Sequence, residues 1–286
     1  MNIREELIKL WARRDMVRNL VVRDLKLKYK GSALGFLWSF LNPVILMTLY
    51  YLIFAKVVGE LRREVTDEGI NYAFFLVTAM WPWMMFSSAV SKSAPLFILN
   101  DSLIKKVYFP REILPIATVI SEFFNFLFGM TVVILVLAVT GYLFNWAVLL
   151  LPVFILILLM YTLGLALLVS VWDVYFRDTE QILNSLLTIG FFATPIFYSV
   201  ERIREKVFGT YEGMAESKIR LNQFLSHLYF TNPLATLLPY IRRSLLGAGP
   251  TISPLAVFLL FITALLFLLF SYWYFKRHEY RLVEEV

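Results

Sequence analysis

The sequence of 286 residues contains no cysteine and only two histidines. Without cysteine there are no disulfides and no thiolate metal sites. His227 and His278 lie far apart, and neither belongs to an H-E-x-x-H motif. A G-x-x-x-x-G-K-S/T sequence is also absent, so the chain lacks the loop that cradles nucleotide phosphates. We therefore expect no metal, no cofactor and no catalytic residue in this chain.

Charged residues are scarce as well. They make up 17% of the sequence, against 59% hydrophobic residues and a mean hydropathy of +0.71. A bilayer core of about 30 Å takes about 20 apolar residues per helix. Five uncharged runs are long enough, and the longest, residues 123–172, contains a turn signal at Gly141 to Asn145 that divides it into two helices. The sequence predicts an all-α membrane protein with six transmembrane helices, at about residues 34–56, 70–92, 113–140, 146–172, 179–200 and 252–275.

An even number of crossings puts both termini on one side of the membrane. Seventeen of the 27 lysines and arginines fall on that side, most densely in residues 1–33, which predicts cytoplasmic termini. The net charge of +6 therefore reflects membrane topology, and we expect no nucleic-acid partner.

Two segments lie outside the predicted crossings. In residues 1–30, apolar residues recur near helical spacing opposite basic ones, which predicts an amphipathic helix in the cytoplasmic interface; the alternative is a solvated helix. In residues 201–249, an uncharged part is interrupted by Asn232-Pro233 and Pro239, and proline disfavours one straight helix. We expect a re-entrant helical segment there, between helices five and six of a single membrane domain, residues 31–286.

A short basic segment, NDSLIKKVYFPRE at residues 100–112, joins crossings two and three. This hinge is too short to be a domain, and Pro110 ends it. It predicts a short cytoplasmic helix at residues 100–109, on which a separate motor protein can push. The residues that we expect to contact such a partner are Asn100, Leu103, Ile104, Lys105, Lys106, Val107 and Tyr108.

A transporter driven by an ion gradient needs ionisable groups along its path. Glu122, about two turns into the third crossing, is the one carboxylate that we expect inside the membrane. A single carboxylate supports ion coupling only weakly. We expect Glu122 to pair with a neighbouring helix or the interface, with Lys92 as the first candidate partner.

Four stretches, in the same order along the chain, resemble permease subunits of ABC-2-type polysaccharide exporters. They are RDLKLKYKGSALGFLWSFLNPV (Arg23–Val44), LIKKVYFPREILPI (Leu103–Ile116), VYFRDTEQILNSLLTIGFFATPIFYS (Val174–Ser199) and TNPLATLLPYIRR (Thr231–Arg243). The resemblance implies a homodimer of six-helix subunits in the cytoplasmic membrane, with two P-loop ABC ATPase subunits that bind ATP and magnesium. It implies that the helix at residues 100–109 couples to the ATPase. It also implies a lipid-linked glycan substrate: O-antigen, capsule or teichoic acid. The charged segment 201–221 is longer here than the family pattern.

Aromatic residues make up 17% of the chain, and the C–H faces of a glycan pack well on aromatic rings. Rings of the first and fifth crossings are therefore predicted to line the path: Phe36, Trp38, Phe40, Tyr50, Tyr51, Phe54, Phe191, Phe192, Phe197 and Tyr198. The alternative is an interfacial aromatic belt, which accounts well for Trp81, Trp83, Trp146 and Trp273.

Polar residues at the cytoplasmic surface complete the candidate site. Lys26, Lys28 and Lys30 precede the first crossing and are predicted to contact anionic lipid headgroups or the pyrophosphate of a lipid-linked substrate. Asp173, Arg177 and Asp178 belong to the turn between crossings four and five.

Two other functions stay open at this point. An ABC-2 permease for a small lipid or drug would share the fold and differ in its pore. A membrane-embedded polyprenyl-linked transferase is disfavoured, because no loop carries an acidic or histidine constellation.

Overall fold

The structure, a computed structural model, describes residues 11–56, 71–106, 109–142, 145–209 and 216–279. Within those ranges all regular structure is helical. The helices are α1 (Arg14–Tyr29), α2 (Trp38–Lys56), α3 (Tyr72–Ser93), α4 (Leu96–Leu99), α5 (Asp101–Lys106), α6 (Ile113–Val139), α7 (Leu151–Tyr175), α8 (Thr179–Ala193), α9 (Val200–Arg202), α10 (Glu216–Thr231), α11 (Pro233–Leu246) and α12 (Pro254–His278). Single 3-10 turns, Gly35–Leu37 and Trp146–Leu150, precede α2 and α7, and a π-helical turn, Ile203–Val207, follows α9.

Four of these helices, α3, α6, α7 and α12, are long and apolar enough to cross a membrane, α7 together with the turn before it. Each helical residue adds about 1.5 Å, so they match a hydrocarbon core of about 30 Å. The apolar part of α2 is shorter, and α8 has only 15 residues. The predicted class, an all-α membrane protein, is confirmed.

Helix α3 lies at the centre of the bundle, where it packs against α2, α6, α7, α8 and α11. Trp81 of α3 lies over Gly129 of α6, and its indole N–H donates to the Phe126 carbonyl at 3.1 Å. In the same way Phe267 of α12 lies against Gly164 of α7. A side chain at either glycine would overlap a ring, so these two positions set how closely the helices approach.

The predicted turn between crossings three and four is confirmed. Gly141 adopts a positive φ of 85°, and the Tyr142 N–H donates to the Leu137 carbonyl at 3.0 Å, which closes the end of α6. The Asn145 side chain donates to the Arg243 carbonyl at 3.2 Å. This turn therefore lies beside the end of α11.

The other end of the bundle, called the basic end below, contains a second apolar cluster. Its members include Leu20 of α1, Phe97 of α4, Ile104 of α5, Ile113 of α6 and Phe275 of α12. Helix α1, the hinge and the C-terminal end of α12 therefore lie at one end of the bundle. An even number of crossings predicts this arrangement.

Helix α8 ends at Ala193, well before residue 200, where the fifth crossing was predicted to end. Thr194 turns to an extended conformation, with φ −91° and ψ 145°. Pro195 follows, and it has no N–H with which to continue the helix. A charge-free run is therefore not one continuous helix here.

The hinge also differs from its prediction of one helix at residues 100–109: α5 covers Asp101–Lys106, and a separate short helix, α4, lies just before the hinge at Leu96–Leu99. Phe109 and Pro110 are not helical. Val107 and Tyr108 lie outside the described residues.

Candidate functional site

The hinge is anchored to the rest of the chain by polar and apolar contacts. The Asn100 side chain donates to the Leu96 carbonyl at 2.8 Å and accepts from Arg23 of α1 at 3.5 Å. Ile104 is buried in the apolar cluster of the basic end, and Leu103 packs at its edge. The apolar face of α5 is thus used within the chain, although it was predicted to contact a partner.

The outward surface of the hinge is basic, and an exposed leucine lies directly before it. Lys105 and Lys106 are exposed, and Lys105 pairs at 2.8 Å with Asp101, one turn earlier. Leu99 is 74% exposed. Leu99 was not among the predicted contact residues, although an apolar side chain next to a polar hinge was a signal for it.

The end of the hinge is tied to the C-terminal end of α12. Glu112 is 0% exposed, and the Lys276 ammonium lies 2.6 Å from it and 3.0 Å from Glu279. The Arg111 N–H donates to Glu279 at 3.1 Å, and the Tyr272 hydroxyl lies 3.4 Å from Glu112. Burial raises the pKa of the Glu112 carboxyl, and the bond from Lys276 opposes that rise. This cluster was not predicted, because its members are far apart in the chain.

Glu122 is buried and pairs with two lysines. The Lys92 ammonium lies 2.5 Å from its carboxylate and the Lys28 ammonium 3.7 Å. Glu122 thus faces protein, one of the three surroundings expected for it (protein, water or the headgroup zone), and Lys92, the first candidate partner, is its nearest cation. Burial lowers the pKa of Lys28, and the nearby Glu122 charge opposes this. All three groups line a cavity of about 330 Å³, together with Arg23 and Asn100.

The other predicted polar residues lie at the same end. Lys26 and Lys30 are exposed, in the last turn of α1 and just after it. Asp173 is buried in the last turn of α7, and Arg177 and Asp178 are exposed in the turn before α8. Beside that turn a largely apolar cavity of about 950 Å³ opens between α3, α7 and α8.

The four rings predicted in the fifth crossing form one cluster at the break that follows α8. The rings of Phe191 and Phe197 meet edge to face at 5.0 Å, and those of Phe192 and Phe197 stack at 5.8 Å. The Tyr198 hydroxyl donates to the Phe192 carbonyl at 2.9 Å. Phe192 is 62% exposed, so the cluster presents an aromatic surface.

The rings predicted in the first crossing lie elsewhere. Phe40 packs against Phe128 of α6 at 5.7 Å, the Tyr50 hydroxyl donates to the Met80 sulfur at 3.4 Å, and Trp38 is half-buried. Helix α2 packs against α3 and α6, whereas α8 packs against α3 and α7, so α3 separates the two aromatic sets within the subunit. The side chains of Phe36, Tyr51 and Phe54 lie outside the described residues.

The aromatic belt accounts for only part of the tryptophans. Trp146 and Trp273 are exposed near the two ends of the bundle, as a belt requires. Trp83 is 5% exposed and packs against Phe191, so its assignment to a belt was wrong. Its ring fills space between α3 and α8, a long-range contact that hydropathy does not reveal.

Neither a metal site nor a catalytic histidine emerges from the part of the chain that the structure describes. No group of three or more His, Asp or Glu side chains occurs there. The His278 ring packs on Tyr274 at 4.2 Å and its Nδ1 lies 2.8 Å from the Tyr274 carbonyl, which is a structural role. The side chain of His227 lies outside the described residues.

The chain is similar to known transport proteins over most of its length. A family model described as ABC-2 type transporter matches residues 16–212. The O-antigen export system permease protein RfbA of Myxococcus xanthus is 36% identical over 198 residues, or 69% of this chain and 74% of that protein. A protein of the same name from Klebsiella pneumoniae is 32% identical over 238 residues, or 78% of this chain and 88% of that protein. The polysialic acid transport protein KpsM of Escherichia coli is 25% identical over 194 residues, or 65% of this chain and 71% of that protein.

Proposed function

The chain belongs to the ABC-2 type transporter family, and on that premise we propose that it is the membrane permease of an ATP-driven polysaccharide exporter. The observation that carries the proposal is its similarity to O-antigen export permeases over most of the chain, and the family match at residues 16–212 includes the hinge, Glu122 and the aromatic cluster. The chain supplies the passage, and a separate P-loop ATPase, with ATP and magnesium, supplies the energy.

The proposed topology has six crossings, with α2 and α8 added to the four long helices. Helix α8 reaches only about 22 Å at about 1.5 Å per residue, so the extended residues after it complete the fifth crossing. Helices α10 and α11 form the re-entrant segment. They are joined at Asn232, whose side chain accepts a hydrogen bond from the Leu234 N–H at 3.0 Å. The basic end faces the cytoplasm, in keeping with the excess of lysine and arginine there.

The hinge is the proposed coupling element. Each of two ATPase subunits seats one hinge through the exposed Lys105 and Lys106 and the neighbouring Leu99. Because Ile104 is embedded in the apolar cluster and Glu112 is paired with α12, a push on the hinge is passed to α6 and α12 together.

The aromatic rings of two subunits form the proposed glycan path. In a homodimer the rings of α2 from one subunit lie opposite the rings of α8 from the other. The C–H faces of sugars pack on such rings without requiring a fixed charge. The lipid carrier's pyrophosphate, or the headgroups of membrane lipids, contact Lys26, Lys28 and Lys30 at the basic end.

Reconstitution of the chain with its ATPase tests the proposal. Inverted membrane vesicles that contain both subunits and a lipid-linked polysaccharide are expected to accumulate the polymer when ATP is added. The isolated chain is expected to hydrolyse no ATP, and vesicles with an ATPase that carries a P-loop lysine substitution serve as the control. Movement of a small lipid or drug, without any polymer, would instead indicate a small-molecule permease.

A further inference from the structure

Arg242 of α11 is the most deeply buried cation that the structure describes, at 3% exposed. Its Nε donates to the Phe75 carbonyl at 3.0 Å, and its Nη2 donates to the carbonyls of Pro195 and Ile196 at 3.1 and 2.8 Å. The guanidinium carbon lies 3.5 Å from the centre of the Phe75 ring. No carboxylate of the described residues pairs with it. Backbone carbonyls and a ring face therefore take the place of a counter-ion.

The carbonyls of Pro195 and Ile196 need donors because α8 ends at Ala193, inside the protein, so they lie outside a helix. Thr194 and Ile196 are 0% exposed, so water does not reach their backbone. Buried carbonyl groups outside a helix are costly unless something donates to them, above all at membrane depth. Arg242 serves two of them, and the Tyr72 hydroxyl serves the next, donating to the Phe197 carbonyl at 2.8 Å.

The same contacts join three separate parts of the chain. Tyr72 and Phe75 stack on one face of α3, with ring centres 5.8 Å apart, and Arg242 comes from α11. The Asn232 side chain, at the start of α11, donates to the Thr194 hydroxyl at 3.3 Å. The backbone after α8 is thus held from both ends of α11 and from α3.

We infer that Arg242, with Tyr72, is a positioning residue for transport. Arg242 fixes the carbonyls of Pro195 and Ile196 and Tyr72 fixes that of Phe197, and together they hold the Phe197 ring against the rings of α8. The part of this inference that concerns transport rests on the proposed function, in which those rings contact the glycan. The part that concerns the backbone does not.

A buried cysteine tests the backbone part directly, because the chain has none of its own. The reporter is Ile196→Cys in the complete complex with the ATPase, treated with a small water-soluble maleimide. We expect slow labelling of this cysteine. When Arg242→Met is added, we expect labelling at least about tenfold faster, the factor that corresponds to loss of one hydrogen bond to a charged group. Arg243→Met is the matched control, because Arg243 donates to the Gly249 carbonyl, away from the break.

Equal labelling rates with and without Arg242→Met would overturn the inference, as would equal acceleration by Arg243→Met. If Arg242→Met does not accumulate as a folded complex, Tyr72→Phe takes its place, since it removes one donor and keeps the ring. Tyr72→Phe is expected to accelerate labelling less than Arg242→Met. No acceleration by Tyr72→Phe would count against the inference in the same way.

A double-mutant cycle tests the transport part. Arg242→Lys keeps the charge but loses the planar fork that reaches two carbonyls. It is expected to slow polymer export per ATP hydrolysed about tenfold, a factor equal to loss of one such bond. In a Phe197→Ala background it should add little, since it acts through that ring, whereas Arg243→Met should not depend on the background.

Full additivity of Arg242→Lys and Phe197→Ala would show that Arg242 does not act through the ring, and would overturn the inference. The two proposals fail separately. Absence of polymer export by the unmodified complex would refute the proposed function, while the cysteine result would still decide whether Arg242 holds the backbone.

Discussion

Among the described residues, each buried glutamate at the basic end of the bundle meets a lysine, whereas a buried arginine at the opposite end meets backbone carbonyls and a ring. Glu112 pairs with Lys276, and Glu122 pairs with Lys92 and Lys28. Arg242 donates instead to neutral oxygens. Loss of one member of an ion pair leaves a buried charge, and loss of the arginine leaves neutral carbonyls. The two ends should therefore respond differently to mutation.

The largest effect is expected from Lys276→Met. It leaves the Glu112 carboxylate buried without its cation, and breaking a buried pair in this way costs about 3–5 kcal/mol. The free energy of unfolding, from denaturant titration of the purified chain, is the measurement. The control is Lys276→Met combined with Glu112→Gln, which removes both charges of the deeper pair and leaves only the more exposed Glu279 without its cation, so it should recover much of the loss. A double variant as unstable as the single one would show that charge is not the cause.

A smaller effect on stability is expected from Arg242→Met. The methionine fills part of the space, but the buried carbonyls lose their donors. We expect the free energy of unfolding to fall by about 1–3 kcal/mol. The same titration measures it, with Arg243→Met as the matched control. A loss as large as that of Lys276→Met would remove the difference between the two ends.

Glu122→Gln is expected to cost about 1 kcal/mol or less, because Lys28 and Lys92 are both partly exposed and can turn to water. Polymer export should stay largely intact and should not depend on a proton gradient, since ATP supplies the energy. Export in vesicles with and without a proton ionophore is the measurement. Loss of export in a stable, assembled variant would instead indicate that Glu122 takes part in ion coupling.

Lys105→Ala is expected to have the smallest effect on stability. Its pair with Asp101 is an exposed pair one helical turn apart, worth about 0.3–0.5 kcal/mol. If the hinge seats in the ATPase, the variant should still lower the polymer-stimulated rate of ATP hydrolysis. The exposed Arg18→Ala serves as the control, because Arg18 is basic but lies outside the hinge and outside the proposed substrate contacts. Equal rates in both variants and the unmodified complex would argue against Lys105 as a coupling residue.

The long helices could be predicted closely from the sequence. For α3, α6, α7 and α12 the uncharged runs and the Gly141 turn indicated bounds within a few residues of those observed. The pairing of Glu122 was also expected, because an unpaired charge at that depth is costly. These inferences depend on local composition, which a single sequence contains.

The break after Ala193 and the burial of Ile104 were not predicted. Pro195 was visible in the sequence, but an uncharged run does not distinguish a helix from a buried extended segment. The difference depends on donors for the freed carbonyls, and those come from Tyr72 and Arg242, far away in the chain. Ile104 is buried because α1, α6 and α12 converge on α5, which its periodicity alone does not show.

By itself, the sequence determined that this protein is a helical membrane protein, where its long helices begin and end, and that its hinge is basic, because hydropathy, glycine and charge act within a few residues. Only the tertiary structure decided which side chains meet: Lys276 with Glu112, and Arg242 with the carbonyls after α8. The physical reason is that a buried polar group must find a partner wherever the fold brings one, and neither partner is near in sequence.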